Sequence, residues 1–318
     1  MANKKGGQVT GIQAALVSAV FLGLAPIFGK QAITLGFSPL AVVALRTSIA
    51  AGIFLSLVAI FWRPYLYIYP AGVIGCGLAG AINGLGSLFY YMALGRLSVS
   101  VGQLLYSLYP VFLVIWLIID RQPPSRLTYI RMGLALLGVL FLTSFKSAQV
   151  DWIGVGLMLA ASVLYAIHLP INQRVLYDIP APTVTLYTLL AMSAVVVPAY
   201  FIFDRHLPPT GASWTPVLLL TIVTFFSRLT LFLGIKKLGG MQTALLGLGE
   251  LLVSITVGHV WLHENLQTVQ WIGAALLGLS LILISFEKIK PEQRRARGLL
   301  GWLRPPEIPP EIPWGPRD

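Results

Sequence analysis

Apolar runs of about 20 residues recur from residue 11 to residue 286, and they restrict the possible fold more than any other feature. Each run is long enough to cross, as a helix, a hydrocarbon layer about 30 Å thick. Only 10% of the residues are charged, whereas a soluble domain needs roughly 25% to cover its surface. The runs are apolar on every face and lack the alternation of barrel strands. The sequence therefore predicts an all-α integral membrane protein.

The runs and the loops between them predict ten transmembrane helices. Sixteen Lys and Arg residues then fall on the side of both termini, four on the other side, and Arg46 and Arg228 inside spans. Such an excess of positive charge marks the cytoplasmic side, so we expect a multi-pass protein of the cytoplasmic membrane with both termini in the cytoplasm. This distribution argues against a nucleic-acid partner, despite a net charge of +11. The predicted spans are 11–29, 39–61, 70–94, 99–119, 128–145, 152–171, 183–203, 215–235, 240–262 and 267–286.

An internal repeat divides the chain into two halves. Residues 89–142 can be laid on 230–282 with the same order of features: a span, a Gly/basic turn, a second span, a polar loop and a helix with two glycines. We expect five-helix repeats at 11–145 and 152–286, preceded by a cytoplasmic segment at 1–10. Because five is odd, the second repeat must enter the membrane inverted. Inverted repeats can expose a central site to each side in turn, which favours a transporter over a membrane enzyme or an anchor.

The tail, residues 287–318, differs in composition from the rest of the chain. It begins basic and becomes Pro-rich in "RPPEIPPEIPWGP". Such a segment cannot form a packed core, so we expect it to be disordered, with its basic part resting on anionic lipid headgroups.

Several segments resemble the drug/metabolite transporter superfamily, and specifically its proteins with two EamA-type halves. "FSPLAVVALRTSIAA" is similar to that family's second helix, with Pro39 and Arg46 in the usual places, and "FYYMALGRLSVS" to its third-helix exit. "WLHENLQTVQWIGAALLGLSLIL" resembles its closing loop and tenth helix, and "LGELLVSI" its ninth helix, although Leu251 stands where proline is common. The resemblance covers residues 11–286 and implies a transporter.

Glu250 lies in the apolar run "ALLGLGELLVSITVG" and is the first candidate for a functional residue. An isolated carboxylate or guanidinium deep in a bilayer costs several kcal/mol unless it is paired or hydrated. Glu250 and Arg228 fall at similar depths, roughly 12–15 Å from the cytoplasmic ends of consecutive helices. The sequence predicts that they form an ion pair facing the bundle interior. The pair could serve only helix packing, or one member could bind substrate or accept a proton.

Five further residues are candidates for a polar cavity. Arg46 could bond to carbonyls at a broken helix or face the substrate. Tyr109 lies in mid-span at the position that the repeat matches to Glu250, with Tyr106 beside it. His168 could line the cavity or be packed as a neutral side chain, and Asn83 lies on a helix face rich in small residues that favours close helix packing.

We expect no catalytic residues, metal or cofactor. The sequence contains neither a nucleophile elbow nor a phosphate-binding loop. His259 and His263 are spaced for one helix face but need more ligands than the sequence offers nearby.

The sequence therefore predicts a secondary transporter, an exporter of a small organic metabolite such as an amino acid or an organic anion, working by alternating access. Its partners would be the small-molecule substrate and membrane lipids, with protons as a candidate coupling ion and a homodimer as a candidate assembly. Hydrophobic drug-like cations are the alternative substrates. An integral membrane enzyme acting on lipid-linked substrates, or a channel, are the alternative classes.

Overall fold

The computed structural model describes residues 2–120, 122–142, 151–206, 210–253, 256 and 268–286, and within them the chain is helical with no strand. The tail, His259, His263 and Glu264 lie outside the described residues. The α-helices are α1 (Ala2–Thr34), α2 (Pro39–Phe61), α3 (Pro70–Arg96), α4 (Val99–Tyr106), α5 (Tyr109–Ile119), α6 (Arg126–Leu142), α7 (Trp152–Leu176), α8 (Ala181–Phe203), α9 (Thr215–Leu238), α10 (Gly240–Gly247) and α11 (Thr268–Ile282). Short 3₁₀ helices cover Arg63–Leu66 and Leu283–Phe286, and residues 249–253 are helical.

Several helices start at the residues that the sequence offers as start signals. Pro39 and Pro70 occupy the first positions of α2 and α3, where a missing N–H costs nothing. Ser38 caps α2 by accepting a bond from the Ala41 N–H at 3.1 Å, and Asp151 caps α7 in the same way. Side chains of this kind satisfy N–H groups that have no partner in the first turn of a helix.

Seven described helical segments are long and apolar enough to cross a membrane, if α4 and α5 are counted together as the one span Val101–Ile119. The apolar segments Gly240–Val253 and Thr268–Ile282 are shorter. The outward side chains of these helices are mostly large and apolar, as at Ile60, Phe61 and Ile118. A surface of this kind suits lipid rather than water. The chain is a multi-pass membrane protein. The predicted all-helical membrane fold is confirmed, although α1 extends past both ends of the predicted first span.

The fourth and ninth predicted spans are both broken. The fourth consists of α4 and α5, separated by a turn at Ser107 and Leu108, and the ninth consists of α10 and the helical residues 249–253, separated at Leu248. α4 and α10 each contain eight residues. The breaks thus lie at matching points of the two halves.

Each helix of one half packs mainly on a helix of the other half, in a reciprocal pattern. α1, the first helix of the first half, packs along α9, and its counterpart α7 packs along α3. α2 packs on its counterpart α8, and α6 on its counterpart α11. This pattern is the one expected when a two-fold axis relates two repeats that pack on each other.

We call the end of the bundle where α1 begins the N-terminal face, and the other end the opposite face. At the N-terminal face, the Lys236 ammonium donates to the Ile179 carbonyl at 3.1 Å, and Thr183 donates to the Tyr65 carbonyl at 3.0 Å. At the opposite face, the Phe37 and Trp214 rings meet edge to face, with centroids 5.3 Å apart.

Arg131, one of the sixteen basic residues that we assigned to the cytoplasmic side, is fully buried inside α6. Its Nε donates to the Ser280 carbonyl of α11 at 3.0 Å, while the Ser280 hydroxyl donates to the Arg131 carbonyl at 2.8 Å. The count of Arg131 among the basic residues of the cytoplasmic side is therefore corrected: it lies inside the predicted span 128–145 and is buried in the bundle. A guanidinium can be buried at this depth because protein carbonyl groups replace its water.

Candidate functional site

A cavity with about 510 Å³ of empty space, its open mouth included, lies where the two halves meet. Residues from α1, α2, α3, α4, α7, α9 and the 249–253 segment form its wall. They are Leu22, Ala25, Pro26, Arg46, Asn83, Gly86, Ser87, Tyr90, Tyr91, Gln103, Tyr106, Ala161, Tyr165, Arg228 and Glu250.

The cavity is displaced toward the opposite face of the bundle. α1 contributes Leu22, Ala25 and Pro26 from its second half, α2 contributes Arg46 from its first third, and α4, which begins at that face, contributes Gln103. Glu250 and Arg228, which also line the cavity, lie about midway along their predicted spans.

Arg46 is held at the cavity by α9 and α3. Its Nη1 donates to the Thr224 hydroxyl at 3.0 Å, and its guanidinium carbon lies 4.7 Å from the centroid of the Tyr91 ring. A cation over an aromatic face gains about 0.5–2 kcal/mol. Its buried Nε has no hydrogen-bond partner among the described residues. Neither contact neutralises the charge, so Arg46 retains the capacity to bind an anion.

Arg228 is bound by Asn83 rather than by Glu250. With the Asn83 amide oxygen turned toward the guanidinium, it accepts from Nη1 at 2.8 Å and from Nη2 at 3.3 Å. The reverse orientation would place an NH₂ group against a cation, so hydrogen-bond logic selects this one. Asn83 was expected on a packed helix face, and here it also orients a buried cation.

Glu250 lines the same cavity as Arg228, yet the predicted ion pair is not formed in this conformation. Among the described residues, no ion pair within 4.0 Å involves Glu250, which is 4% exposed and whose Oε1 has no hydrogen-bond partner. The two side chains do share the cavity, but the guanidinium donors of Arg228 are directed to Asn83. A carboxylate oxygen buried without a partner is costly, so Glu250 Oε1 is available to a ligand or a proton in the cavity.

Four tyrosines form a continuous aromatic layer beside Glu250. The ring of Tyr106 lies 4.9 Å from that of Tyr90 and 5.3 Å from that of Tyr165, and Tyr109 lies 4.9 Å from Tyr165. Aromatic pairs of this kind contribute about 0.5–1.5 kcal/mol each beyond their buried area. Tyr106 lines the cavity, whereas Tyr109 lies behind the wall and donates to the Ala244 carbonyl at 2.7 Å.

His168 also lies behind the wall. Its Nδ1 is 2.6 Å from the Tyr165 carbonyl, its ring is 4.6 Å from the Tyr165 ring, and it is fully buried. Of the two alternatives left open by the sequence, the structure places His168 in the packed position. Its Nε2 has no hydrogen-bond partner among the described residues.

Polar contacts close the N-terminal face beneath the cavity. Arg174 at the end of α7 lies 3.3 Å from Asp120 at the end of α5. The Gln242 amide of α10 donates to the Thr128 hydroxyl at 3.2 Å and accepts from Arg131. The backbone N–H of Gly240 donates to Gln173 Oε1 at 2.7 Å. The starts of α6 and α10 are thereby fastened to each other, and α10 is fastened to α7.

Polar contacts also join described residues at the opposite face. Arg96 lies 3.0 Å from Asp151 at the start of α7, and Lys30 donates to the Leu94 and Leu97 carbonyls at 2.6 and 3.1 Å. The backbone N–H of Gly154 and the Arg96 guanidinium hold the pKa of Asp151 below its usual range. Asp151 therefore stays ionised at neutral pH and keeps both contacts.

Sequence reasoning missed five polar residues of the wall as site candidates, namely Ser87, Tyr90, Tyr91, Gln103 and Tyr165. Tyr165 lies three residues before His168, a spacing that places both side chains on one helix face, and this signal could have identified it. Gln103 is an amide in an apolar half-helix and could have been noticed for that reason. The described residues contain no cluster of three or more His, Cys, Asp or Glu that could hold a metal ion.

Comparisons with known proteins place these features in a family. The EamA-like transporter family matches the chain twice, at residues 9–144 and 152–286. An uncharacterized transporter of Archaeoglobus fulgidus is 24% identical over 280 residues, covering 84% of this chain and 96% of the relative. An uncharacterized transporter of Synechocystis sp. is 23% identical over 235 residues, covering 69% and 67%. Another, YcbK of Bacillus subtilis, is 23% identical over 295 residues, covering 86% and 92%.

A solved crystal structure of a protein shares the fold, with a TM-score of 0.70 at 17% identity over 89% of this chain and 97% of that one. The match to the family spans both halves of the chain, and the resemblance read from the sequence is confirmed. The names of the relatives point to a transporter rather than an enzyme. The chain belongs to the EamA-like transporter family.

Proposed function

We propose that this protein is a secondary transporter that moves a small organic metabolite bearing a carboxylate or phosphate, such as an amino acid or an organic anion, by alternating access. The two five-helix halves, 11–145 and 152–286, would lie inverted in the cytoplasmic membrane, with both termini in the cytoplasm. The cavity then faces outward in this conformation, and the cytoplasmic side is closed.

One observation carries the proposed substrate class. The guanidinium groups of Arg46 and Arg228 both line the cavity, and no described carboxylate lies within 4.0 Å of either. Two cations buried near each other repel, and an anionic group between them would relieve that repulsion. Guanidinium groups bind carboxylates and phosphates through paired hydrogen bonds.

A second candidate substrate class is supported by Glu250 and the tyrosines of the cavity wall. Glu250 faces the cavity beside the rings of Tyr90, Tyr106 and Tyr165. Aromatic faces around a carboxylate suit an organic cation, so hydrophobic drug-like cations remain the alternative substrates. The same carboxyl group is the candidate for binding a coupling proton.

Counterflow into proteoliposomes tests the proposal. Vesicles loaded with an unlabelled amino acid, a dicarboxylate or a hydrophobic amine are given the labelled compound, with and without a pH gradient. We expect saturable counterflow for a compound with an anionic group. Replacing Arg228 or Arg46 with Gln should lower its uptake about ten-fold or more, because a hydrogen bond to a charged group contributes about 1.5–3 kcal/mol.

Arg63→Gln is the matched control, since Arg63 is exposed and, among the described residues, donates to the Ala59 carbonyl alone. It should leave uptake unchanged. Counterflow of the hydrophobic amine alone would replace the anion by the cation as substrate. Flux that never saturates would show a channel, and no counterflow of any compound in the panel would contradict the proposed substrate classes.

A further inference from the structure

The two broken helices have a common register. α4 begins at Val99 and α10 begins at Gly240, 141 residues later, and each ends after eight residues. With this shift, Tyr109 corresponds to Glu250, and Gln103 corresponds to Ala244. Tyr109, the first residue of α5, is therefore matched to Glu250, the second residue of the 249–253 segment, without any reference to side-chain chemistry.

Tyr109 fastens the two halves together on the N-terminal side of the cavity. Its hydroxyl donates to the Ala244 carbonyl at 2.7 Å. That carbonyl can accept because the N–H of Leu248, where α10 ends, bonds to the Leu246 carbonyl instead. Gly247 provides the space, since a Cβ there would lie 2.6 Å from the Tyr109 oxygen. We name this Tyr109–Ala244 contact the N-terminal latch.

Exchanging the roles of the two halves turns the N-terminal latch into a contact between Glu250 and Gln103. Both residues line the cavity in the present conformation, and both have a buried oxygen, Oε1, with no hydrogen-bond partner among the described residues. Ala244 supplies its backbone carbonyl, whereas the Gln103 carbonyl already accepts the Ser107 N–H at 2.9 Å. Gln103 would therefore supply its side-chain amide.

We propose that Gln103 is a positioning residue that bonds the Glu250 carboxyl group when the opposite face closes, as Tyr109 bonds Ala244 when the N-terminal face is closed. In the proposal the two latches alternate: here the N-terminal latch is formed, while Gln103 and Glu250 line the cavity, each with an Oε1 that has no hydrogen-bond partner among the described residues. An amide both donates and accepts, so Gln103 can bond the carboxyl group whether or not it carries a proton. This proposal rests on the proposed alternating-access transport.

The balance between the latches can be measured by thiol labelling of purified protein in detergent. Cys76 is the one cysteine of the sequence, so Cys76→Ala gives a background without cysteines. Met241→Cys places a reporter thiol in the closed N-terminal face, and Ala25→Cys places another in the wall of the cavity. A bulky maleimide should label the thiol at position 241 only when the N-terminal face opens, and its rate then reports the population of that state.

Tyr109→Phe removes the N-terminal latch and should raise the labelling rate at position 241 about five-fold, the factor that corresponds to one hydrogen bond. Gln103→Met removes the second latch and should lower that rate about five-fold. The labelling rate at position 25, which reports the major state, should change little in both variants. Adding Glu250→Leu to Gln103→Met should produce no further decrease, because both substitutions remove the same bond.

A labelling rate at position 241 that is unchanged or raised by Gln103→Met would overturn the proposal. Gln103→Asn is the second variant, in case the first does not fold; its shorter amide should also lower the rate. Labelling needs no substrate, so the two proposals fail separately. Counterflow with an unresponsive thiol at position 241 would refute only the second latch, and a responsive thiol there without counterflow would refute only the proposed substrates.

Discussion

The α4/α5 break and the break after α10 lie at matching positions of the two halves, but different side chains follow them. Each follows a half-helix of eight residues, but the first half places Tyr109 and Pro110 after the break and the second half places Glu250 and Leu251 there. Tyr109 has a partner across the interface of the halves, whereas Glu250 Oε1 has none among the described residues. The residue at the matching position therefore forms a hydrogen bond between the halves in one repeat and offers an unbonded carboxyl oxygen in the other.

The first turns of the two half-helices differ as well. In the first turn of α10, Gln242 is bound to Thr128 and Arg131 at the N-terminal face, whereas the corresponding residue of α4 is Val101. The closed N-terminal face is thus stabilised by polar contacts of Gln242 that Val101 cannot form at the matching position of α4. Two repeats of one fold can differ in stability between their two conformations for this reason.

The largest effect is expected for Gln242→Leu. This change leaves the buried Arg131 guanidinium with one acceptor fewer and the Thr128 hydroxyl without the amide, and a bond to a charged group contributes about 1.5–3 kcal/mol. The free energy of unfolding should fall by about 2–3 kcal/mol, measured by thermal unfolding in detergent. Val101→Leu, at the matching position of α4, should have little effect. Equal losses in both variants would remove the asymmetry between the faces.

A smaller effect is expected for Gly247→Ala. The added Cβ would lie 2.6 Å from the Tyr109 oxygen, and overpacking of this kind costs about 1–3 kcal/mol. Gly156→Ala in α7 is the matched control, because nothing lies within 4 Å of its added Cβ. It should raise stability by about 0.5–1 kcal/mol through helix propensity. If both changes raise stability equally in thermal unfolding, the close approach of Tyr109 is not a structural requirement.

The smallest effect is expected for Pro110→Ala. Proline lies at the start of α5, yet the second half is broken at the same point with leucine, so the turn at Ser107 and Leu108 does not depend on the ring. We expect a loss of about 1 kcal/mol, from the methylene groups removed, in the same thermal unfolding measurement. A loss of about 3 kcal/mol or more would instead show that proline determines the first break.

Much of the fold could be predicted from the sequence because it depends on local patterns. Apolar length predicted the helices, and the repeat matched Tyr109 to Glu250, which lie just after the two breaks in the structure. Five of the seven candidate residues line the cavity, while Tyr109 and His168 lie one layer behind it. Their functional roles remain predictions.

The partners of those residues could not be predicted. Arg228 and Glu250 have matching depths and opposite charges, and the sequence offered no reason to prefer another pairing. In the structure Arg228 is bound by Asn83, which is 145 residues away. Arg131, which was counted with the basic residues of the cytoplasmic side, is buried and joins α6 to α11. Depth along a helix is readable from sequence, but rotation about the helix axis depends on packing.

The sequence by itself determined that this chain crosses a membrane as two related sets of helices, and which few polar side chains are carried into the apolar interior. Both follow from the free energy of transferring residues from water to hydrocarbon, which adds up along the chain. Only the tertiary structure decided that Tyr109 closes one side, that Arg228 is bound by an amide, and that Gln103 shares a cavity with Glu250. Hydrogen bonds act over about 3 Å, so they depend on how distant helices pack and not on local composition.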